Sequence, residues 1–218
     1  MNAVTYRGSG EAVPVGKILC LGRNYIEHAR EMNSPKPARP IVFLKPSTAL
    51  LQDGGRVCAP TFSRELHHEV EMVVVIGKDG RNISASRAMD FVGGYAVGLD
   101  MTLRDVQSEA KEHGLPWSVA KGFDTSAPVS YAMEQDKVTD PHNLTLSLKV
   151  NGKVRQHSNT KHMIFRIEDV ISYVSSIFTL EVGDLIFTGT PEGVGPVVSG
   201  DQLEAELECV GTLRIGIA

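Results

Sequence analysis

The chemistry-bearing residues of this chain gather first at Glu69 and Glu71, in the run His67-His68-Glu69-Val70-Glu71-Met72-Val73-Val74-Val75-Ile76. Residues i and i+2 of a strand project from the same side, so the two carboxylates become neighbours. At roughly 5 Å and an effective dielectric near 20 their repulsion is about 3 kcal/mol. A bound divalent cation would remove that cost; an edge strand with both acids in solvent would avoid it. The same face continues through Val73 and Val75, which puts the acids at the mouth of a core. A third carboxylate, Asp100, ends the apolar run Gly94-Tyr95-Ala96-Val97-Gly98-Leu99. An aspartate there could cap the next helix, but Thr102, in a Thr-x-x-Asp box with Asp105, is the better cap and leaves Asp100 free. Three carboxylates converging from two strands make a hard-oxygen site for Mg²⁺ or Mn²⁺, with Ca²⁺ as a substitute. Zinc would require a nitrogen or sulfur ligand, and His67 is the sequence-local candidate.

Other groups could bring a substrate to such a site. Arg104 and Gln107 are three apart on one helical face, and Lys121 follows Trp117-Ser118-Val119-Ala120. They are either a solvated face or, together, a recognition set for an anion that also chelates the metal. The segment Thr188-Gly189-Thr190-Pro191-Glu192-Gly193-Val194-Gly195 leaves an apolar strand for a Gly-rich turn. It lacks the Gly-Lys-Ser/Thr of a phosphate loop, which disfavours nucleotides; its amides and the Thr190 hydroxyl could instead approach a carboxylate or an oxyanion. His28 and Glu31 lie one helical turn apart. As more than a surface pair, the glutamate would orient the imidazole and raise its basicity, as a general base for water requires, on a helix that could move as a lid.

The elements that must position these groups are mostly short strands: Lys17-Leu21, Val42-Leu44, Val70-Ile76, Gly94-Leu99, Leu144-Val150, Leu185-Thr188, Gln202-Leu207 and Thr212-Ile217. Asn151-Gly152 supplies a type I′ hairpin turn. Ile167, Val170, Ile171, Val174 and Ile177 form one buried helical face. A second helix opens at Thr102 and ends at Gly114-Leu115-Pro116, with a thin apolar face of Leu103, Val106 and Ala110. A third runs from Tyr25 to Met32, before the breaker Ser34-Pro35-Lys36-Pro37.

Composition bounds the rest. The chain has 218 residues, 42% of them hydrophobic, enough for one core and one domain, 1-218, with residues 1-16 as an N-terminal extension. Its 22 basic and 26 acidic residues are dispersed, with no basic block to follow a phosphate backbone, so nucleic acid is not expected. The longest apolar run, Met72 to Ile76, is too short to span a bilayer, and Met1 to Lys17 lacks the apolar stretch of a signal peptide. No membrane partner and a cytoplasmic location are expected. Cys20, Cys58 and Cys209, three at wide spacing, suit reduced structural thiols.

In this order the motifs GRNYIEHAREM, FLKPSTAL, HHEVEMVVVIG, GGYAVGLDMTLRDVQ, GLPWSVAKGFD, LKVNGKVRQ and FTGTPEGVG resemble the fumarylacetoacetate hydrolase family, from Lys17 to Leu213. The short, single-domain acylpyruvase and oxaloacetate decarboxylase branch is the most similar. The resemblance implies an α+β, β-rich fold, a mixed β-sandwich roll with a few flanking helices, assembled as a homodimer. It implies Mg²⁺ or Mn²⁺ on Glu69, Glu71 and Asp100, substrate contacts from Arg23, Lys45, Arg104, Gln107 and Thr190, and catalysis by His28, Glu31 and Lys121. The activity it implies is C–C bond cleavage in a small 2-oxoacid through a pyruvate enolate: acylpyruvate hydrolysis, oxaloacetate decarboxylation, or both. Fumarylpyruvate hydrolysis or isomerisation, oxaloacetate keto-enol tautomerisation and metal binding without turnover are the alternatives.

Overall fold

The computed structural model describes residues 2–31 and 35–218, the side chain of Ala29 excepted. Its architecture is the expected β-rich α+β roll. An eight-stranded mixed sheet runs, in spatial order, Ile41–Pro46, Lys17–Gly22, Leu185–Phe187, Val70–Ile76, Val92–Leu99, Ala127–Val129 and Leu50–Gln52, with Met133–Glu134 paired to Val92–Leu99. A five-stranded sheet is ordered Lys153–Asn159, Thr145–Val150, Gln202–Leu207, Gly211–Ile217 and Arg56–Val57.

Strand Val70–Ile76 has no exposed residue because both of its faces are covered. Val70, Met72, Val74 and Ile76 enter the larger core, which they share with Leu146, Leu148 and Leu203 of the five-stranded sheet. Val73 and Val75 enter a second core with Ile18, Leu185 and Phe187, roofed by Val4, Tyr6 and Val15 of the N-terminal residues. The unbroken apolar run in the sequence is the signature of a strand buried on both sides. The five-stranded sheet is one-sided: Leu146, Leu148 and Val150 are buried and the residues between them are half-buried. Its hairpin turns at Asn151 and Gly152, with φ of +50° and +76°, as a type I′ turn requires.

Among the described residues four α-helices flank the sheets: α1 (Ile26–Glu31), α2 (Arg104–His113), α3 (Ser118–Lys121) and α4 (Ile167–Ile177). In α4 the residues Ile167, Val170, Ile171 and Val174 are buried as expected, whereas Ile177, in the last turn, is 46% exposed. The start of α2 differs from expectation. Thr102 does not cap it but pairs with His67 in a short strand, and Asp105 accepts from Ser63 Oγ and Arg64 N instead of closing a capping box. Cross-strand pairing with a distant segment outweighs the local cap. Gly114 ends the helix in the left-handed region at φ +65°. Met32 and Ser34, which bear on the end expected for α1, lie outside the described residues.

A three-stranded ribbon, in the order Thr102–Leu103, Leu66–His68, Gly195–Val197, does most to position the candidate residues. It joins the segment entering Glu69, the segment leaving Asp100 and the segment that follows Thr190. Among the cysteines, Cys20 is buried while Cys58 and Cys209 are exposed, and all three are free. None of the described helices is long and apolar enough to cross a membrane.

Replacing Ile171 by Ala, at the fully buried centre of the α4 face, is expected to cost about 2–5 kcal/mol of stability with an unchanged denaturant slope, read by urea unfolding.

Candidate active site

Glu71 stands opposite Gly98 in the pairing of Val70–Ile76 with Val92–Leu99, and Asp100 N donates to Glu69 O at 2.8 Å just beyond the pair's end. That register brings Glu69, Glu71 and Asp100 together from residues far apart in sequence. One ligand oxygen from each lies within 4.8 Å of the others, and all three residues are buried. The alternative of a solvent-facing acid pair is therefore set aside.

The counter-charge is unevenly shared. Glu69 receives Arg104 Nη2 on Oε1 at 2.5 Å and Lys121 Nζ on Oε2 at 2.8 Å. Burial pushes its carboxyl up, but the opposing pull of Lys121 and Arg104 wins and holds it well below the ordinary range. Asp100 Oδ2 accepts from Lys121 Nζ at 2.6 Å. Its Oδ1 lies 2.8 Å from Lys45 Nζ but has no hydrogen-bond geometry with it. Lys45 has three ammonium protons and three backbone acceptors, the carbonyls of Met101, Lys121 and Ser126. Among the described residues Glu71 has no ion-pair partner; its Oε2 accepts from Gly189 N at 2.7 Å. Burial first, then Asp100 and Glu69, push its carboxyl well above the ordinary value.

These features fit a divalent cation. Asp100 Oδ1 is a buried carboxylate oxygen without a hydrogen-bond donor, and Glu71 is a buried acid beside two others without its own cation. Hard oxygen donors from three carboxylates suit Mg²⁺, Mn²⁺ or Ca²⁺. His67, the nitrogen ligand considered for zinc, is not in the cluster. It faces Arg104 Nε at 3.4 Å, and burial and that guanidinium lower its pKa to about 4.

Arg23, His28, Arg104, Gln107, Lys121 and Thr190 line one cleft together with Glu69. Arg104 Nη1 donates to Gln107 Oε1 at 2.6 Å, so the two residues spaced three apart on α2 form one unit. Arg23 is held at φ +60°, a left-handed conformation that costs a non-glycine residue about 1–2 kcal/mol. Lys121 Nζ gives its three protons to Glu69, Asp100 and Thr102 Oγ1; contact with a substrate requires it to release one. Lys45 is not part of the cleft wall. Its ammonium lies beside Asp100 and ties the edge strand Ile41–Pro46 to the carbonyls of Met101, of Lys121 at the end of α3 and of Ser126.

His28 Nδ1 is 3.1 Å from Glu31 Oε2, and the other oxygen of Glu31 accepts from Gly193 N at 3.1 Å. The first contact engages Nδ1, and among the described residues Nε2 has no hydrogen-bond partner. The second ties α1 to the Gly-rich turn. Gly189 in that turn has φ +97°, and a Cβ there would come 2.6 Å from Asn24 Cβ, so only glycine brings its amide to Glu71.

Sequence reasoning assigned no role to the outer wall of the cleft. Phe43 and Trp117 meet edge to face at 5.8 Å, with Lys121 Nζ 5.1 Å from the Phe43 ring centre and Lys111 Nζ 5.5 Å from that of Trp117. Burial, then Arg104 and Arg23, lower the pKa of Lys111. A usable signal was the single tryptophan of the chain, set in a Gly-Leu-Pro turn rather than in an apolar run.

The sequence model described as Fumarylacetoacetate (FAA) hydrolase C-terminal matches residues 17–218. The chain belongs to the fumarylacetoacetate hydrolase family. A family relative, the mitochondrial oxaloacetate tautomerase of Bos taurus, is 53% identical over 200 residues, covering 92% of this chain and 90% of the relative. The fumarylpyruvate hydrolase of Pseudomonas aeruginosa, solved in complex with Mn²⁺ and pyruvate, superposes with a TM-score of 0.95 at 39% identity, over 99% of this chain and 95% of that one. A 5-carboxymethyl-2-hydroxymuconate delta-isomerase from Mycobacterium smegmatis gives 0.84 at 35% identity, over 96% and 86%.

The charge distribution sets two opposite pH dependences in the metal-free protein. Glu71 binds its proton more tightly folded than unfolded, so its effect on stability turns unfavourable as pH rises above the ordinary glutamate value of 4.5. Glu69 is held below that value, so its favourable contribution is present above it and is lost as pH falls. Replacing Glu71 by Gln should therefore raise the thermal midpoint in EDTA at neutral pH. The same change should abolish stabilisation by Mn²⁺, which at 100 times the dissociation constant amounts to about 2.7 kcal/mol in the parent protein. Differential scanning fluorimetry across pH, with and without Mn²⁺, reads both.

Proposed function

We propose that this protein is a Mg²⁺- or Mn²⁺-dependent enzyme that cleaves a C–C bond in small 2-oxoacids, by acylpyruvate hydrolysis or oxaloacetate decarboxylation. The observation that carries this reading is the buried set Glu69, Glu71 and Asp100, whose Glu69 lines a cleft that also holds His28. The relatives support it: one solved structure holds Mn²⁺ and pyruvate, and a curated relative is named for oxaloacetate.

Glu69, Glu71 and Asp100 would hold the cation, which when bound supplies Lewis-acid polarisation of a chelating oxoacid. The chain's own residues do the remainder. Arg104 and Gln107, locked to each other, present donors at the cleft wall for a substrate carboxylate. His28 Nε2 accepts a proton from water aimed at the distal carbonyl, while Glu31 bonded to Nδ1 stabilises the imidazolium that results. The Thr190 hydroxyl and the Lys121 ammonium face oxygen atoms that gain charge. Loss of CO₂ from oxaloacetate uses the same anchoring groups and needs no activated water.

Oxaloacetate keto-enol tautomerisation is the second reading, favoured by the name of the Bos taurus relative. It needs a base at the carbon next to the keto group, a task within reach of the same His28 Nε2. We further propose a homodimer, as the family resemblance implies.

Purified protein assayed on acetylpyruvate and oxaloacetate should lose its activity in EDTA and regain it with Mg²⁺ or Mn²⁺; full activity in the chelator would remove the metal from the scheme. Replacing His28 by Ala should lower acetylpyruvate hydrolysis by roughly 10²- to 10⁴-fold and decarboxylation far less. Equal losses in both reactions would refute this division of roles.

A further inference from the structure

Strand Lys153–Asn159 lies at the edge of the five-stranded sheet, and its residues are exposed or half-exposed except one polar side chain, Gln156, which is 1% exposed. Its amide oxygen accepts from Val70 N at 3.0 Å and faces His68 Nδ1 at 3.0 Å. Its amide nitrogen donates to Thr190 Oγ1 at 2.8 Å and to the Pro191 carbonyl at 3.0 Å, with the Glu192 carbonyl at 3.5 Å.

This orientation is forced from both ends. Reversed, the amide would set its NH₂ against the Val70 N–H and its oxygen against the Pro191 and Glu192 carbonyls, and all of these backbone contacts would be repulsive. Thr190 Oγ1 must therefore accept from Gln156. A threonine hydroxyl has one proton, and among the described residues Thr190 Oγ1 has no other hydrogen-bond partner. Thr190 is 2% exposed and lines the cleft beside Glu69 and His28, so the unused proton has the cleft to point into.

We propose that Gln156 is a positioning residue that, by occupying a lone pair of Thr190 Oγ1, makes Thr190 a hydrogen-bond donor toward a substrate oxygen in the cleft. The proposal rests on the reading of the cleft as a 2-oxoacid site. Gln156 touches no substrate; it acts through the direction of one proton. Without it no hydrogen bond from the described residues sets the direction of the hydroxyl, which would be free to present a lone pair to an anionic ligand. The role also gives a reason for burying an amide on an exposed edge strand.

The test is a double-mutant cycle between Gln156→Met, which keeps the volume and removes both the donor to Thr190 and the acceptor for Val70 N, and Thr190→Val. Two readouts are taken in Mn²⁺: kcat/KM on acetylpyruvate and oxaloacetate, and the Kd of oxalate by calorimetry. Each single change is expected to weaken both readouts by about ten- to hundredfold, in the range of groups that orient a ligand-binding residue. The double variant is expected to match Thr190→Val alone. Multiplying losses, or wild-type behaviour of Gln156→Met, would overturn the proposal. Should Gln156→Met not fold, Gln156→Glu keeps the acceptor for Val70. When ionised, at pH 8.5, it offers Thr190 an acceptor in place of a donor, so it should reproduce the Thr190→Val loss; wild-type activity would overturn the role. A coupled cycle in oxalate affinity without turnover of either substrate would keep the role of Gln156 and sink the proposed reaction. Turnover with additive losses would do the reverse.

Discussion

Three buried carboxylates within 4.8 Å of one another are the constraint around which this structure is arranged. Removing charges from water is costly, and like charges so close are worse, so the fold must supply cations and donors at fixed positions. It does so from four directions. Lys121 comes from α3, Arg104 from α2, Lys45 from an edge strand and the Gly189 amide from the Gly-rich turn. Even so, Asp100 Oδ1 receives no hydrogen bond although the Lys45 ammonium lies 2.8 Å away, and among the described residues Glu71 has no cation of its own.

The two cores explain how such a site is kept rigid. Strand Val70–Ile76 is packed on both faces, so the backbone that carries Glu71 has little freedom to yield to repulsion. Phe187 and Val73 leave so little space above Gly98 that a Cβ there would meet them at 2.8 and 2.7 Å. Close packing thus stiffens the strand pair that presents the acids. The N-terminal residues contribute as well, since Val4, Tyr6 and Val15 close the second core.

Much of this was legible in the sequence, for local reasons. The i, i+2 spacing of Glu69 and Glu71, the acid ending a buried strand at Asp100 and the i, i+3 pair His28/Glu31 are short-range patterns, and the structure keeps each geometry. The eight strands named from the sequence and α4 likewise followed from periodicity and turn chemistry, whereas the short strands Leu66–His68, Thr102–Leu103 and Gly195–Val197 carried no such signal. What the sequence hid depends on partners far away in the chain. Thr102 resembled a cap until pairing with His67 claimed its backbone and Lys121 its hydroxyl. The direction of Lys45 depends on three carbonyls, all more than fifty residues later. Gln156 was one letter of a motif, with no local pattern to show that it would be buried on an edge strand.

Glu31 has two oxygens and uses them for different purposes, one on the imidazole of His28 and one on the amide of Gly193. The carboxylate is therefore held against rotation only while α1 rests on the Gly-rich turn. The angle at which Glu31 meets the imidazole is thus set by two elements at once, the helix that carries both residues and the turn that holds the second oxygen, so a change in the Gly-rich turn reaches His28 through a single carboxylate.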